Sequence, residues 1–322
     1  MPTSSVNFLE ELPDVVFYAV MGKLPARVIE NTIRQLSKDC YRKVELRRAR
    51  LPRVYIKVLD IRGNTFRYRR PSNSAMNDLH YEETIDPANL IQHLEYLNER
   101  VTFNTLRLND VDWDIFANCK FKCEELSCFV SGTTLSPERF MDIFRSIRPT
   151  RKLDIYADGD DKMFPVTTDF FTNNYAIGLQ EVRLAGFGID MVNPLNDTIL
   201  LDSTFPIFRF FFSRNCGFTL NGILAMIRDW YTSERQIDHI ELQVVGGEAQ
   251  HQNFLHSLAG WLVDKRLLSD GCISSRPALE RVNGDVLKLR VDIRLGDYLN
   301  ISMVRLVPGP EAGLYRRYDD VE

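Results

Sequence analysis

Short strand-like segments recur along most of this chain: TLRL at 105–108, LSCF at 126–129, KLDIY at 152–156, EVRL at 181–184, IFRFF at 207–211, HIEL at 239–242 and VLKLR at 286–290. They follow one another at roughly 20 to 30 residues, except before the last. Amphipathic helices fit between several of them. Asp86-Pro87 pairs a capping side chain with a proline at the first helical position, opening a helix with Leu90, Ile91, Leu94 and Leu97 on one face. Ser136-Pro137 opens another, carrying Phe140, Met141, Phe144 and Ile147. Leu220, Ile223, Leu224, Ile227 and Trp230 mark a third, and Phe254, Leu255, Leu258, Trp261 and Leu262 a fourth. Strand and helix in alternation imply right-handed parallel crossovers. One unit cannot bury its own apolar face, so the units must stack. The expected fold is α/β, an irregular solenoid or arc, with a doubly wound α/β domain as the alternative.

A helical segment precedes the strands. In LPDVVFYAVMGKLPARVIENTIRQLSKDCYRKV, residues 12–44, Leu12, Val15, Val16, Ala19 and Val20 fall on one helical stripe, expected to face inward. Phe17, Met21 and, toward the flank, Tyr18 fall on the opposite side. Apolar residues in both directions suit a helix that packs on its own chain with one face and on a partner with the other. Leu51-Pro52 punctuates this segment, dividing the chain into a helical module at 1–50 and a larger domain at 51–322. Residues 53–70 alternate apolar and polar about Gly63-Asn64, as a β-hairpin does. Residues 71–83 read as a polar surface loop, the stretch around Gly296-Asp297 as a terminal hairpin, and 311–322 as a polar, mobile tail.

Composition narrows the function classes. The chain has 322 residues, 44% hydrophobic and 26% charged, an ordinary globular balance. No run approaches the apolar length of a membrane span, and the acidic N-terminus lacks the apolar core of a secretory signal. Six irregularly spaced cysteines fit reduced thiols in the cytoplasm or nucleus. Within a net charge of −4, Arg42, Lys43, Arg47, Arg48, Arg50 and Arg53 cluster. Such a patch suits phosphates, a helix C-terminus or an acidic protein surface; the acidic remainder and the lack of a recognition motif disfavour nucleic acid.

No catalytic or metal constellation stands out. Cys119, Cys123 and Cys128 are close but lack the paired ligands of a zinc site, and read as buried thiols. His251 and His256 have no H-E-x-x-H frame. The run Asp158-Gly159-Asp160-Asp161 lacks the glycine and closing glutamate of a calcium loop, Gly186-Phe187-Gly188 lacks a third glycine, and no G-x-S-x-G elbow occurs. The expectation is a non-enzymatic chain with no catalytic residues, metal or cofactor.

Leu12-Pro13, Leu24-Pro25 after a short helix, and a further helix reaching Leu36-Ser37-Lys38 and Tyr41 resemble an F-box over some 40 residues. Leu36 stands where valine is usual, Tyr41 near the usual tryptophan, and Pro25 where an acidic cap is common. The region downstream is similar to the F-box-associated repeat regions of the large nematode F-box families, most clearly at Gly217-Phe218-Thr219-Leu220-Asn221 with Trp230 and the strand at 240–242. The period of its units is that of leucine-rich repeats. The resemblance implies an F-box-like module followed by an irregular leucine-rich-repeat-like α/β solenoid. It implies the substrate-recognition subunit of a Skp–cullin–F-box ubiquitin ligase, docking on a Skp-family adaptor and, through it, a cullin. Leu12, Pro13, Val16, Val20, Leu24, Pro25, Ile29 and Leu36 would form or support that docking surface. The helical periodicity adds Phe17 and Met21 as exposed apolar contacts. Arg107, Asp154, Tyr156, Arg183, Arg209 and Glu241, polar side chains within apolar strands, are the candidates for binding an unknown protein target. A repeat scaffold that binds protein without joining a ligase is the alternative; an α/β enzyme would need titratable groups converging in a pocket.

Overall fold

In the computed structural model of the protein, residues 8–70, 79–159, 163–172, 175–176, 178–187, 191, 194–202, 205–212, 217–245, 248–262, 267–268, 278–281, 283–294, 298–308 and 315–317 are described. A 14-stranded mixed sheet organises the chain. In chain order its strands are β1 (Val54–Arg62), β2 (Thr65–Arg70), β3 (Leu79–Thr84), β4 (Val101–Asn109), β5 (Glu125–Val130), β6 (Lys152–Ala157) and β7 (Glu181–Gly186). They continue with β8 (Ile207–Phe212), β9 (His239–Val245), β10 (Leu267–Leu268), β11 (Ala278–Glu280), β12 (Val286–Arg294), β13 (Tyr298–Pro308) and β14 (Tyr315–Arg317). From β4 to β9 each strand lies parallel to the next one in sequence, and β1 lies parallel to β4. From β4 to β9 the order follows the chain; β1 lies beside β4 with β2 and β3 beyond it, and β13 lies between β9 and β12. Each crossover of one hand therefore places its helix on the same face.

The register explains why the strands read so clearly. Leu59, Leu106, Leu126, Leu153, Val182, Phe208, Ile240, Met303 and Leu289 form one continuous cross-strand row. All nine are fully buried. Two residues away on each strand lies a second such row, Ile61, Leu108, Cys128, Ile155, Leu184, Phe210, Leu242, Ile301 and Val291. Because strand side chains alternate with period two, both rows face the helices and the residues between them face away.

The helices between strands start where their caps dictate. Asp86 accepts from the Ala88 amide at 2.9 Å, and a short turn there leads into the helix Leu90–Arg100. Ser136 accepts from the Arg139 amide at 3.2 Å to open Pro137–Ile147, whose Phe140, Ile143, Phe144 and Ile147 enter the core. Thr219 caps Leu220–Thr232, accepting from Gly222 at 3.1 Å. Just before it, a Cβ on Gly217 would lie 2.1 Å from the Leu195 carbonyl oxygen, so only glycine fits. Phe218 stacks on Phe210 at 5.4 Å between centroids. Of the fourth helix, Glu248–Leu262, Phe254 and Leu258 are buried.

The sheet closes differently at its two ends. At one, β1 turns through Gly63, at a φ of +56°, into β2, which pairs antiparallel with β3. At the other, the long hairpin of β12 and β13 lies antiparallel against β9. Several expectations change here. Ile91 is 59% exposed, not part of the helix's buried face. Residues 79–83 of the expected loop belong to β3, because Tyr68 and Tyr81 pair across the strands and Arg67 meets Glu82 at 2.8 Å. Residues 315–317 of the expected tail pair with β13. Residues 295–297 lie outside the described residues. Among those described, no helix is long and apolar enough to cross a membrane.

Ahead of the sheet, short helices at Asp14–Met21, Ala26–Leu36 and Lys38–Leu46 form a module with its own core of Phe17, Met21, Ile29, Ile33, Cys40, Val44 and Leu51. The middle helix contains a π-turn at Ile29–Ile33. Ser37 ends it and caps the third helix by accepting from the Cys40 amide at 3.1 Å.

Candidate binding surfaces

The first helix of the module is apolar on both sides, and the structure reverses the expected assignment of its faces. Phe17 and Met21 are 0% exposed, so they are core and not contact residues. Val15, Val16 and Val20, on the stripe expected to be buried, are 79%, 44% and 38% exposed. Burial follows size: a phenyl ring and a methionine remove more apolar area from water than valines do. Ile29 is likewise fully buried and supports the surface only from beneath. Leu12 and Leu24 are half-buried against the module core, while Pro13, Pro25 and Leu36 are exposed. Val28, Tyr41 and Leu46 are further exposed apolar residues of the module that periodicity alone did not select.

The module is fixed to the first helix of the larger domain by charge. Glu30 is buried and meets Arg48 at 2.5 Å, with Arg34 and Arg100 each at 3.9 Å. Glu45 bonds Arg34 at 2.8 Å and Arg100 at 2.5 Å. Burial acts to raise the Glu45 pKa, but the hydrogen bonds and charges of Arg100 and Arg34 hold it below the usual carboxylate value. Burial pulls Arg48 below the ordinary guanidinium value despite Glu30.

Several residues of the basic cluster of the sequence are engaged within the chain. Arg48 is internal, the Lys43 ammonium donates to the Leu12 carbonyl at 3.2 Å, Arg47 lies over the Tyr18 ring at 4.5 Å, and Arg53 donates to the Asn98 carbonyl at 2.7 Å. Arg42, Arg47 and Arg50 stay exposed.

The second surface is the sheet face turned away from the helices. Five of the six candidate target contacts fall in one register row: Asp60, Arg107, Ser127, Asp154, Arg183, Arg209, Glu241, Ser302, Arg290. Nine strands at the usual spacing make this row about 38 Å long. Tyr156 lies one row over, stacked on Phe129 at 4.8 Å with the ring planes 5° apart. Alanine at 185 separates Tyr156 from Phe211 in that row, giving a short aromatic strip beside the charges.

Much of the charge is matched within the face. Lys152 reaches Asp154 at 3.3 Å and Glu181 at 3.7 Å, and Arg183 pairs with Glu181 and lies 3.9 Å from Asp154. Arg209 contacts His239 at 3.1 Å and Glu241 at 3.7 Å, while His239 lies 3.2 Å from Glu241. Burial raises the Asp154 pKa above its ordinary value despite Lys152 and Arg183. Glu241 is held low, first by the hydrogen bond from His239. Lys152, Glu181 and His239 belong to this network, and their polar positions inside strands were the available signal in the sequence.

Within the row, the Ser127 hydroxyl donates to Asp154 Oδ2 at 3.3 Å. The described residues include no group of three His, Cys, Asp or Glu side chains placed to hold a metal ion. Burial pushes the Cys119 and Cys123 thiols up to about 12 and Cys128 higher still, so these sulfurs stay protonated and unreactive at neutral pH. No family model, curated protein or solved structure matches the chain.

Proposed function

We propose that this chain is a non-enzymatic substrate receptor. Residues 1–50 serve as an F-box-like module that docks on a Skp-family adaptor and, through it, a cullin. Residues 51–322 serve as an irregular leucine-rich-repeat-like solenoid whose open sheet face holds a protein target. The observation that carries this reading is the valine stripe Val15, Val16 and Val20, exposed on a module whose own core is already closed. An apolar stripe on a finished core contributes nothing to folding and suits a partner. Covering each valine would contribute roughly 1.5 kcal/mol. The docking surface would consist of the stripe with Leu12, Pro13, Leu24, Pro25 and Leu36. The mechanism is proximity: the receptor raises the effective concentration of a target lysine beside a ubiquitin-conjugating enzyme held elsewhere in the complex.

The alternative is a repeat scaffold with no ligase role. The ionic joint of Glu30, Glu45, Arg48 and Arg100 favours it to the extent that the module also serves as an end cap on the sheet. Co-purification with a Skp-family adaptor separates the two. Binding by the wild type and its loss in Val15→Asp/Val16→Asp/Val20→Asp supports the receptor; a folded wild type that binds no adaptor leaves the scaffold.

A further inference from the structure

A groove of about 710 Å³ opens on the helix side of the sheet, away from both surfaces above. It lies where β5 and β6 begin, between the segment before β5 and the end of the helix Pro137–Ile147. Lys120, Lys122, Arg139, Arg145 and Arg148 line it, with Asp142 as the one acidic residue. Arg139 is taken up by Asp114 at 2.7 Å and Asp142 at 3.5 Å, and Arg145 by Asp142 at 3.8 Å and the Tyr175 hydroxyl at 3.0 Å. Lys120, Lys122 and Arg148 are exposed, with no acidic partner among the described residues.

Arg148 carries more information than an ordinary surface cation. It ends its helix in the left-handed region, at a φ of +48°, and its Nε donates to the Arg145 carbonyl at 3.2 Å. Glycine is the residue that adopts this position without strain. Arginine there complements the helix C-terminus. That explanation does not extend to Lys120 and Lys122, which come from a different segment and line the same groove.

A second, apolar slot of about 220 Å³ adjoins the groove and shares Asn118 and Lys120 with it. Ile91, Leu94, Ile115 and Cys119 line this slot together with Glu95 and Asn98, and Ile91 is 59% exposed. A basic groove continuing into an apolar notch matches one ligand chemistry: an acidic peptide bearing an apolar side chain at one end. Nucleic acid fits less well. The chain carries a net charge of −4, and the groove's one ring, Phe121, is buried and offers no stacking surface.

We infer that this groove is a docking site for an acidic segment of a partner protein, anchored by an apolar residue in the slot beside Ile91. The site is independent of the receptor reading and can fail without it. The test is fluorescence anisotropy on the full chain with a labelled peptide of one leucine followed by alternating aspartate and glutamate, and with the same peptide carrying glycine for leucine. The wild type is expected to bind the leucine peptide saturably and more weakly as salt rises. Lys120→Glu/Lys122→Glu is expected to weaken binding about tenfold or more. Arg148→Gly, which relieves the left-handed position, is expected to weaken binding while keeping or raising the melting temperature. Ile91→Ser is expected to erase the preference for leucine over glycine. Absence of saturable binding by folded wild type, equal binding by the charge variants, or tighter binding of an oligothymidylate of matched charge would overturn the inference.

Discussion

Glu45 and Arg100 meet at 2.5 Å although 55 residues separate them in sequence, and this bond joins the helical module to the helix that precedes β4. Arg100 is almost buried, lies over the Tyr96 ring at 4.1 Å, and also approaches Glu30 and Glu99. Removing it leaves Glu45 with Arg34 alone and takes one of the cations from around buried Glu30. Arg100→Ala is therefore expected to destabilise the protein by about 2–4 kcal/mol. Urea unfolding measures this, and limited proteolysis should show the module released before the sheet unfolds.

The two faces of the helix Asp14–Met21 should respond oppositely to mutation. Phe17→Ala opens a cavity in the module core and is expected to cost roughly 3–5 kcal/mol. Val15→Ser, on the exposed face, is expected to change stability by less than about 0.5 kcal/mol. Thermal unfolding of the two variants gives the comparison; equal costs would place Val15 in the core.

Asp110 provides a pH dependence. Its carboxylate accepts from the Ser131 amide at 2.7 Å, the Ser131 hydroxyl at 2.5 Å and the Gly132 amide at 2.9 Å. Burial works against the charge, yet the bonds from Ser131, Gly132 and Thr133 hold its pKa below the ordinary value. A carboxylate with a depressed folded-state pKa contributes stability that is present above its unfolded value and lost as pH falls through the folded one. The stability difference between wild type and Asp110→Asn should therefore be full near pH 7 and shrink below about pH 4. Urea midpoints across that range check it, and a difference that grows toward acid would contradict it.

Gly217→Ala forces a Cβ against the Leu195 carbonyl oxygen and is expected to cost about 1–3 kcal/mol, whereas Gly260→Ala, with open space around it, should be neutral or stabilising. Melting temperatures of the two variants give the answer.

What the sequence revealed followed from local periodicity. The two buried rows through Leu106 and Leu108 are legible because every strand alternates in step, and Asp86, Ser136 and Gly63-Asn64 mark their turns and caps by chemistry that needs no distant partner. The same alternation selected Arg107, Asp154, Arg183, Arg209 and Glu241, which the register brings into one row. Two kinds of feature were not legible. A helix with apolar residues on both sides does not say which side is inside, and the choice between Phe17 and Val16 was settled by three-dimensional packing. Long-range pairings are the other: β13 against β9, β3 against β2, and the arginines around Glu30 and Glu45, whose partners lie too far along the chain for any spacing rule.

The most direct measurement is isothermal titration of a purified Skp-family adaptor into the 322-residue chain. The wild type and the open-face variant Arg107→Ala should bind one adaptor per chain with equal affinity, while Val15→Asp/Val16→Asp/Val20→Asp, folded by circular dichroism, should not bind. An absence of heat with well-folded wild type, or undiminished binding by the triple variant, would contradict the docking role of the valine stripe.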